Sequence, residues 1–289
     1  MSKTLKQLIK DERLDPEGPE MEAIRQTRSD MESMIRGKFG IRGLTFKYGG
    51  SKAKGTILKC EHDLDLLAYF DNDNKIAGNT LEEIYNSMWA LLNQTYDVVP
   101  GTTSLRLYQK GARRDLKVDL VPGRYTESDD GTVYLHQNGG EVNWLKTNPD
   151  MHIEHVTESG VVEALCGLKT WRVRNGVKSM RQFPFELLCI DLLQPLKRKT
   201  IEEQVSGVLE GIASTDTPPR VEDPANKDND VSKRLKEGWG DLRSAAQSSL
   251  GRANQGWASV LGIPPEPANV DTLHAMARSV SVQTKPWAN

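Results

Sequence analysis

Two carboxylates, Asp63 and Asp65, stand two residues apart at the head of an apolar run that ends at Phe70. Strand side chains alternate between faces, so the spacing predicts both on one face. Like charges side by side repel unless a cation lies between them. Hard oxygen donors of this kind favour Mg²⁺ or Mn²⁺. An Asp-x-Asp alone also reads as a polar strand end. Asp119 adds to it, because it interrupts an otherwise apolar strand, Leu116 to Val121. An isolated buried carboxylate is costly, so Asp119 needs a partner or a metal. Three such carboxylates on neighbouring strands would form a two-metal site, one ion activating a hydroxyl and the other gripping a triphosphate, with the ions ~4 Å apart. Asp119 is then the general base or a ligand of the activating ion. The competing reading is a salt bridge to Arg113 or Arg114.

Upstream, Gly49-Gly50-Ser51 forms a turn whose backbone N–H groups can approach a phosphate closely, with a hydroxyl beside them. It is not a Walker loop: Lys54-Gly55-Thr56 has the wrong order and the strand-to-helix context is absent.

The elements that must carry these residues follow from periodicity. Residues 1–38 predict two helices, broken at Asp15-Pro16-Glu17-Gly18-Pro19. Leu44 to Tyr48 and Leu64 to Phe70 read as strands. Thr80-Leu81-Glu82-Glu83 is a capping box opening a helix with Ile84, Met88, Leu91 and Leu92 on one face. Tyr96 to Val99, Ser104 to Lys110 and Leu116 to Val121 read as further strands, the last two joined through Gly111. Strands around one helix predict a small mixed α/β lobe. Residues from Pro122 to His155 read as loop-rich. Helices are then predicted over Glu158 to Arg174, Phe185 to Leu193, from a second capping box at Thr200, and from Val231 to about Leu261. The last residues, 264–289, read as an extended tail.

Composition bounds what this assembly can meet. With 38 basic and 40 acidic residues in 289, the chain is no global magnet for nucleic acid, and an anionic ligand must be met by local clusters. Three widely spaced cysteines, Cys60, Cys166 and Cys189, form neither a disulfide framework nor a zinc pattern, so a reducing cytoplasm is expected. No apolar run approaches the ~20 residues of a membrane span.

Taken together these residues resemble the DNA-polymerase-β-like nucleotidyltransferase superfamily, whose signature is a Gly-Ser turn, Asp-x-Asp and a third Asp on a later strand. Gly50-Ser51 with Lys54-Gly55-Thr56, Asp63-Leu64-Asp65-Leu66 and Val118-Asp119-Leu120-Val121-Pro122 is similar to the branch that holds archaeal-type CCA-adding enzymes, oligoadenylate synthases and bacterial CD-NTases, the cyclic-oligonucleotide synthases. Thr147-Asn148-Pro149-Asp150-Met151-His152 resembles the link between lobes in those enzymes. Leu168-Lys169-Thr170-Trp171, Phe185-Glu186-Leu187-Leu188 and Asp223-Pro224-Ala225-Asn226 resemble three later segments. The resemblance implies an α+β, bilobal nucleotidyltransferase fold with a mixed-sheet catalytic lobe and a helical C-terminal lobe. Its divisions would be residues 1–38 packing across the lobes, 39–145 catalytic, 146–263 helical and 264–289 a flexible tail. It implies Asp63, Asp65 and Asp119 as catalytic metal ligands for Mg²⁺ or Mn²⁺, and Gly50, Ser51, Lys54, Thr56 and Lys169 as nucleotide contacts. Gln182 stands where a phosphate-touching serine is common in the family.

Length and near-neutral charge fit a bacterial CD-NTase better than a tRNA-binding enzyme, which would want a basic stripe. The expected activity is condensation of nucleoside triphosphates, ATP among them, into a cyclic or short oligonucleotide with release of pyrophosphate. The expected partners are a downstream effector in antiviral defence, reached through that product, and a regulator at the C-terminal tail. Other readings are transfer to an RNA end, a linear oligonucleotide or a protein hydroxyl, and an inactive nucleotide-binding sensor. Neither a membrane nor a membrane anchor is expected.

Overall fold

The computed structural model describes residues 3–110, 117–128, 130–139, 142–227, 229 and 231–265. Gly111, Arg113, Arg114 and residues 266–289 of the expected tail lie outside them. Two N-terminal helices, α1 (Leu5–Glu12) and α2 (Pro19–Phe39), flank the predicted Pro/Gly break. Thr4 closes a capping box on α1, and Pro19 starts α2 where a missing N–H costs nothing. Then come β1 (Leu44–Tyr48), a one-turn helix α3 (Gly50–Ala53), β2 (Leu64–Phe70) and α4 (Leu81–Leu92), the last opened by the Thr80–Glu83 capping box. Strands β3 (Tyr96–Pro100), β4 (Leu105–Gln109) and β5 (Val118–Tyr125) follow.

One expectation fails here. The segment after Pro122 is not a loop. β5 runs on through Pro122 to Tyr125, and β6 (Val133–His136) and β7 (Trp144–Thr147) extend the sheet. The helix α5 (Pro149–Thr157) then begins with Pro149 after an Asn148 cap. The β6 and β7 segments are four residues each, too short for periodicity to separate from the polar turns around them. Pro122 is tolerated within β5 beside Ala68 of the parallel β2. The remaining helices are α6 (Val162–Arg174), α7 (Gln182–Leu193), α8 (Ile201–Ser214), α9 (Val231–Leu250) and α10 (Trp257–Leu261). α6 starts later than the expected Glu158 because Gly160, at φ +71°, breaks the chain after α5. The predicted helix from Val231 to Leu261 is interrupted between Leu250 and Trp257, with Gly256 at φ +89°.

The sheet runs β1-β2-β5-β4-β3, with β6 pairing β5 and β7 pairing β6. Only β2 and β5 are parallel. Alternation divides the two faces. Leu64, Leu66, Ala68 and Phe70 of β2 and Val118 and Leu120 of β5 join α2 and α4 in one core. The opposite face carries Asp65, Leu67, Tyr69, Asp119 and Val121, which line a cleft. A second core, built from α6 to α10, also takes in Leu5, Leu8 and Ile9 of α1. The two N-terminal helices therefore serve different lobes. No helix among the described residues is long and apolar enough to cross a membrane.

Candidate active site

A cleft of about 560 Å³ lies between the sheet and the helical lobe, a volume suited to a small-molecule ligand. Its floor is set by register. In the parallel ladder Asp65 lies beside Asp119, one step beyond Leu64 beside Val118. Asp63 precedes Asp65 by two residues and shares its face. All three aspartates line the cleft, as do Gly50, Ser51, Lys54 and Gln182.

Gly50 is fitted to this floor. Its φ is +50°, and a Cβ there would fall 1.6 Å from Asp65 Oδ2. The turn is tied to the same strand by the Gly49 N–H, which donates to the Asp65 carbonyl at 2.8 Å. Glycine is required twice over, for the backbone conformation and for the space the carboxylate takes.

Burial first, and then the neighbouring charges of Asp119 and Asp63, push the Asp65 carboxyl up to about 6. Two cations offset the crowding. Arg106, beside Asp119 on β4, donates from Nε to Oδ1 at 3.0 Å and from Nη2 to Oδ2 at 3.3 Å. Lys117 hydrogen-bonds Asp63 and lies 3.7 Å from Asp119 Oδ2. Among the described residues the closest salt-bridge partner of Asp119 is Arg106; Arg113 and Arg114, which the sequence suggested, lie outside them. Lys117 was legible in Lys117-Val118-Asp119, where period two puts it on the carboxylate face. Arg106 carried no such signal, because strand pairing is what brings it there.

Among the described residues no three His, Cys, Asp or Glu side chains close on a common point as a metal cage. The two flanking aspartates are each turned to a cation, Asp63 to Lys117 and Asp119 to Arg106. The donor chemistry nonetheless fits a hard divalent ion. Three carboxylates share one wall, and burial together with the charges beside it raises the central one, a conflict such an ion relieves.

Two expected nucleotide contacts sit elsewhere. Thr56 and Lys169 are buried, and neither lines the cleft. Lys169 Nζ donates to the Thr56 carbonyl at 3.1 Å and to its Oγ1 at 2.7 Å, and lies 3.7 Å from Glu186 Oε2. Burial lowers the Lys169 pKa, and the charge of Glu186 works against that. Lys54 reaches the other oxygen of Glu186. The lysine on α6 therefore holds the loop from beneath. Gln182 is at the cleft, its Oε1 accepting from Arg172 Nη2 at 2.9 Å. The same guanidinium pairs with Glu61 and donates to the Met180 carbonyl at 3.0 Å.

The far wall includes Asp223, Asn226 and Asn229. Asp223 accepts from His152 Nε2 at 2.6 Å, from Asn229 Nδ2 at 2.6 Å and from the Ala225 N–H at 2.9 Å. Asn226 Nδ2 donates to the Lys146 carbonyl of β7 at 2.9 Å, so this loop closes on the extra strands.

No family model matches the sequence, and no curated protein does. Solved structures do. CdnC from E. coli MS115-1, in its complex with HORMA-deltaN, superposes with a TM-score of 0.65 at 18% identity, over 90% of this chain and 96% of that one. The CD-NTase CdnG from Bradyrhizobium diazoefficiens, in complex with GTP, gives 0.62 at 13% identity over 95% and 97%. The cyclic AMP-GMP synthase DncV from Vibrio cholerae, in complex with nonhydrolyzable GTP, gives 0.62 at 15% identity over 90% and 83%. This chain shares with them a bilobal nucleotidyltransferase fold, over nearly its whole length.

Proposed function

We propose that the chain is a nucleotidyltransferase that joins nucleoside triphosphates into a cyclic di- or oligonucleotide and releases pyrophosphate. The observation that carries this is the ladder position of Asp65 beside Asp119, with Asp63 on the same face and the Gly50–Ser51 turn packed against Asp65. The shared fold supports it, since neighbours of that fold are a cyclic AMP-GMP synthase and a CD-NTase holding GTP.

In this reading Asp63, Asp65 and Asp119 hold Mg²⁺ or Mn²⁺, which when bound offsets charge on the triphosphate and acidifies the acceptor hydroxyl. The turn at Gly50 and Ser51 seats phosphate oxygens against backbone N–H groups. Asp119 is placed to take the hydroxyl proton as that oxygen bonds to the α-phosphorus and the bond to the bridging oxygen breaks. Lys54 and Gln182, both at the cleft, orient the triphosphate, and Lys169 supports the loop below. Catalysis is then largely positioning and electrostatics. The product acts as a messenger to an effector in antiviral defence.

The test is incubation of purified protein with four radiolabelled triphosphates and Mg²⁺ or Mn²⁺, followed by phosphatase. A phosphatase-resistant small product is expected, and its loss in Asp63→Ala/Asp65→Ala. Label retained on protein or on added RNA would move the acceptor and overturn cyclisation. Transfer undiminished in the double variant would sink the metal assignment.

A further inference from the structure

Lys117 has a place in this cleft that the chemistry above does not use. It stands two residues before Asp119 and immediately before Val118, the ladder partner of Leu64, so it faces Asp63 across the parallel pair. Its own carbonyl accepts from the Leu64 N–H at 3.0 Å, which fixes its backbone to the strand that carries the aspartates. From that anchor the ammonium bonds Asp63 and lies 3.7 Å from Asp119 Oδ2. It is the cation between the two carboxylates. The side chain is 24% exposed and lines the cleft, so the ammonium can leave without disturbing the sheet.

We propose that Lys117 is a built-in counter-ion that competes with the divalent cation for Asp63 and Asp119, so that the ion enters by displacing the lysine ammonium. The inference rests on the metal role assigned above to these aspartates. Its physical basis is direct. A carboxylate already neutralised by a fixed ammonium offers a second cation less attraction, and the ammonium and the ion repel each other at short range. The bare protein should therefore hold the ion weakly. A triphosphate changes the balance, because it brings its own negative charge and gives the released ammonium a new partner. Metal binding is thus made conditional on nucleotide, which keeps the three carboxylates compensated between turnovers.

Mn²⁺ binding to the full chain without nucleotide tests this, measured by calorimetric titration or by the Mn²⁺ resonance signal. Lys117→Met should bind Mn²⁺ about tenfold or more tightly than the unaltered chain. Lys117→Arg, which keeps the charge, should stay close to the unaltered chain. The metal-free melting temperature of Lys117→Met should fall and recover with saturating Mn²⁺. Lys117→Gln is the second variant should the methionine disturb folding, and it should show the same tightening. Equal or weaker Mn²⁺ binding in the folded neutral variants overturns the inference while leaving the aspartate site standing, provided Asp65→Asn abolishes binding. If no form binds Mn²⁺, or Asp65→Asn binds it as well as the unaltered chain, the metal reading fails and the inference fails with it.

Discussion

Asp65 is the residue on which the electrostatics of the cleft converge. Its carboxyl is raised to about 6 by burial first and then by Asp119 and Asp63. An unfolded aspartate titrates near ~3.9. A raised acid takes up a proton on folding, so this group contributes stability at low pH, fully present below the unfolded value. That contribution is lost as pH rises through about 6. Metal binding has the opposite requirement, because the ligand must be the carboxylate. The rise in melting temperature produced by Mg²⁺ with nucleotide should therefore be small at pH 5 and grow by pH 7.5, with the increase centred near 6. Asp65→Asn should remove both the loss of metal-free stability and the response to Mg²⁺. Thermal melts at the two pH values measure this directly, and an equal Mg²⁺ response at both would contradict it.

At the scale of elements, legibility tracked the length and regularity of each segment. β1 and β2 were readable to the residue because Leu44–Tyr48 alternates, Leu64–Phe70 is an apolar run buried on both faces toward its end, and both are bounded by glycine or polar residues. β6 and β7 were not, at four residues each, and with them went the expectation of a loop. In the site, Asp63, Asp65 and Asp119 were visible because charge within an apolar strand is costly. The burial of Lys169 and Thr56 was not, since it depends on how α6 docks beneath the loop. The segment 217–227 shows what an irregular stretch gains from one buried anchor. Asp223 holds it to His152 of α5, to Asn229 and to its own Ala225. Asp223→Ala should free this wall, costing ~1–3 kcal/mol through the unpaired donors left behind. A KM for triphosphate raised several-fold, a smaller loss in kcat and faster amide exchange over 217–227 are the expected readouts. Unchanged exchange there would show that the wall is held by other contacts.

For the whole molecule, the decisive feature is that the two lobes have separate cores, joined by Leu58, which packs into the helical one, and by polar bonds. Arg172 of α6 pairs with Glu61, which precedes β2, and Lys47 of β1 pairs with Asp150 of α5 at 2.8 Å. Lys54 and Lys169, one from each lobe, converge on Glu186. Glu186 is 2% exposed and serves both buried ammoniums at the joint. Removing one partner from a buried ion pair costs ~3–5 kcal/mol, because the other charge stays behind. Glu186→Ala should therefore uncouple the lobes, turning a single calorimetric unfolding transition into two, the first at lower temperature. The loss should be pH-dependent. Lys169 is already lowered by burial, and without Glu186, whose charge works against that, it falls further. A lowered base penalises folding while the unfolded lysine keeps its proton, and that penalty shrinks as pH rises toward the unfolded value, ~10.4. The Glu186→Ala protein should accordingly recover part of its stability between pH 7 and pH 9, and the two transitions should draw together. Two transitions whose separation ignores pH would place the coupling in the other interlobe pairs, Arg172 with Glu61 and Lys47 with Asp150, rather than at Glu186.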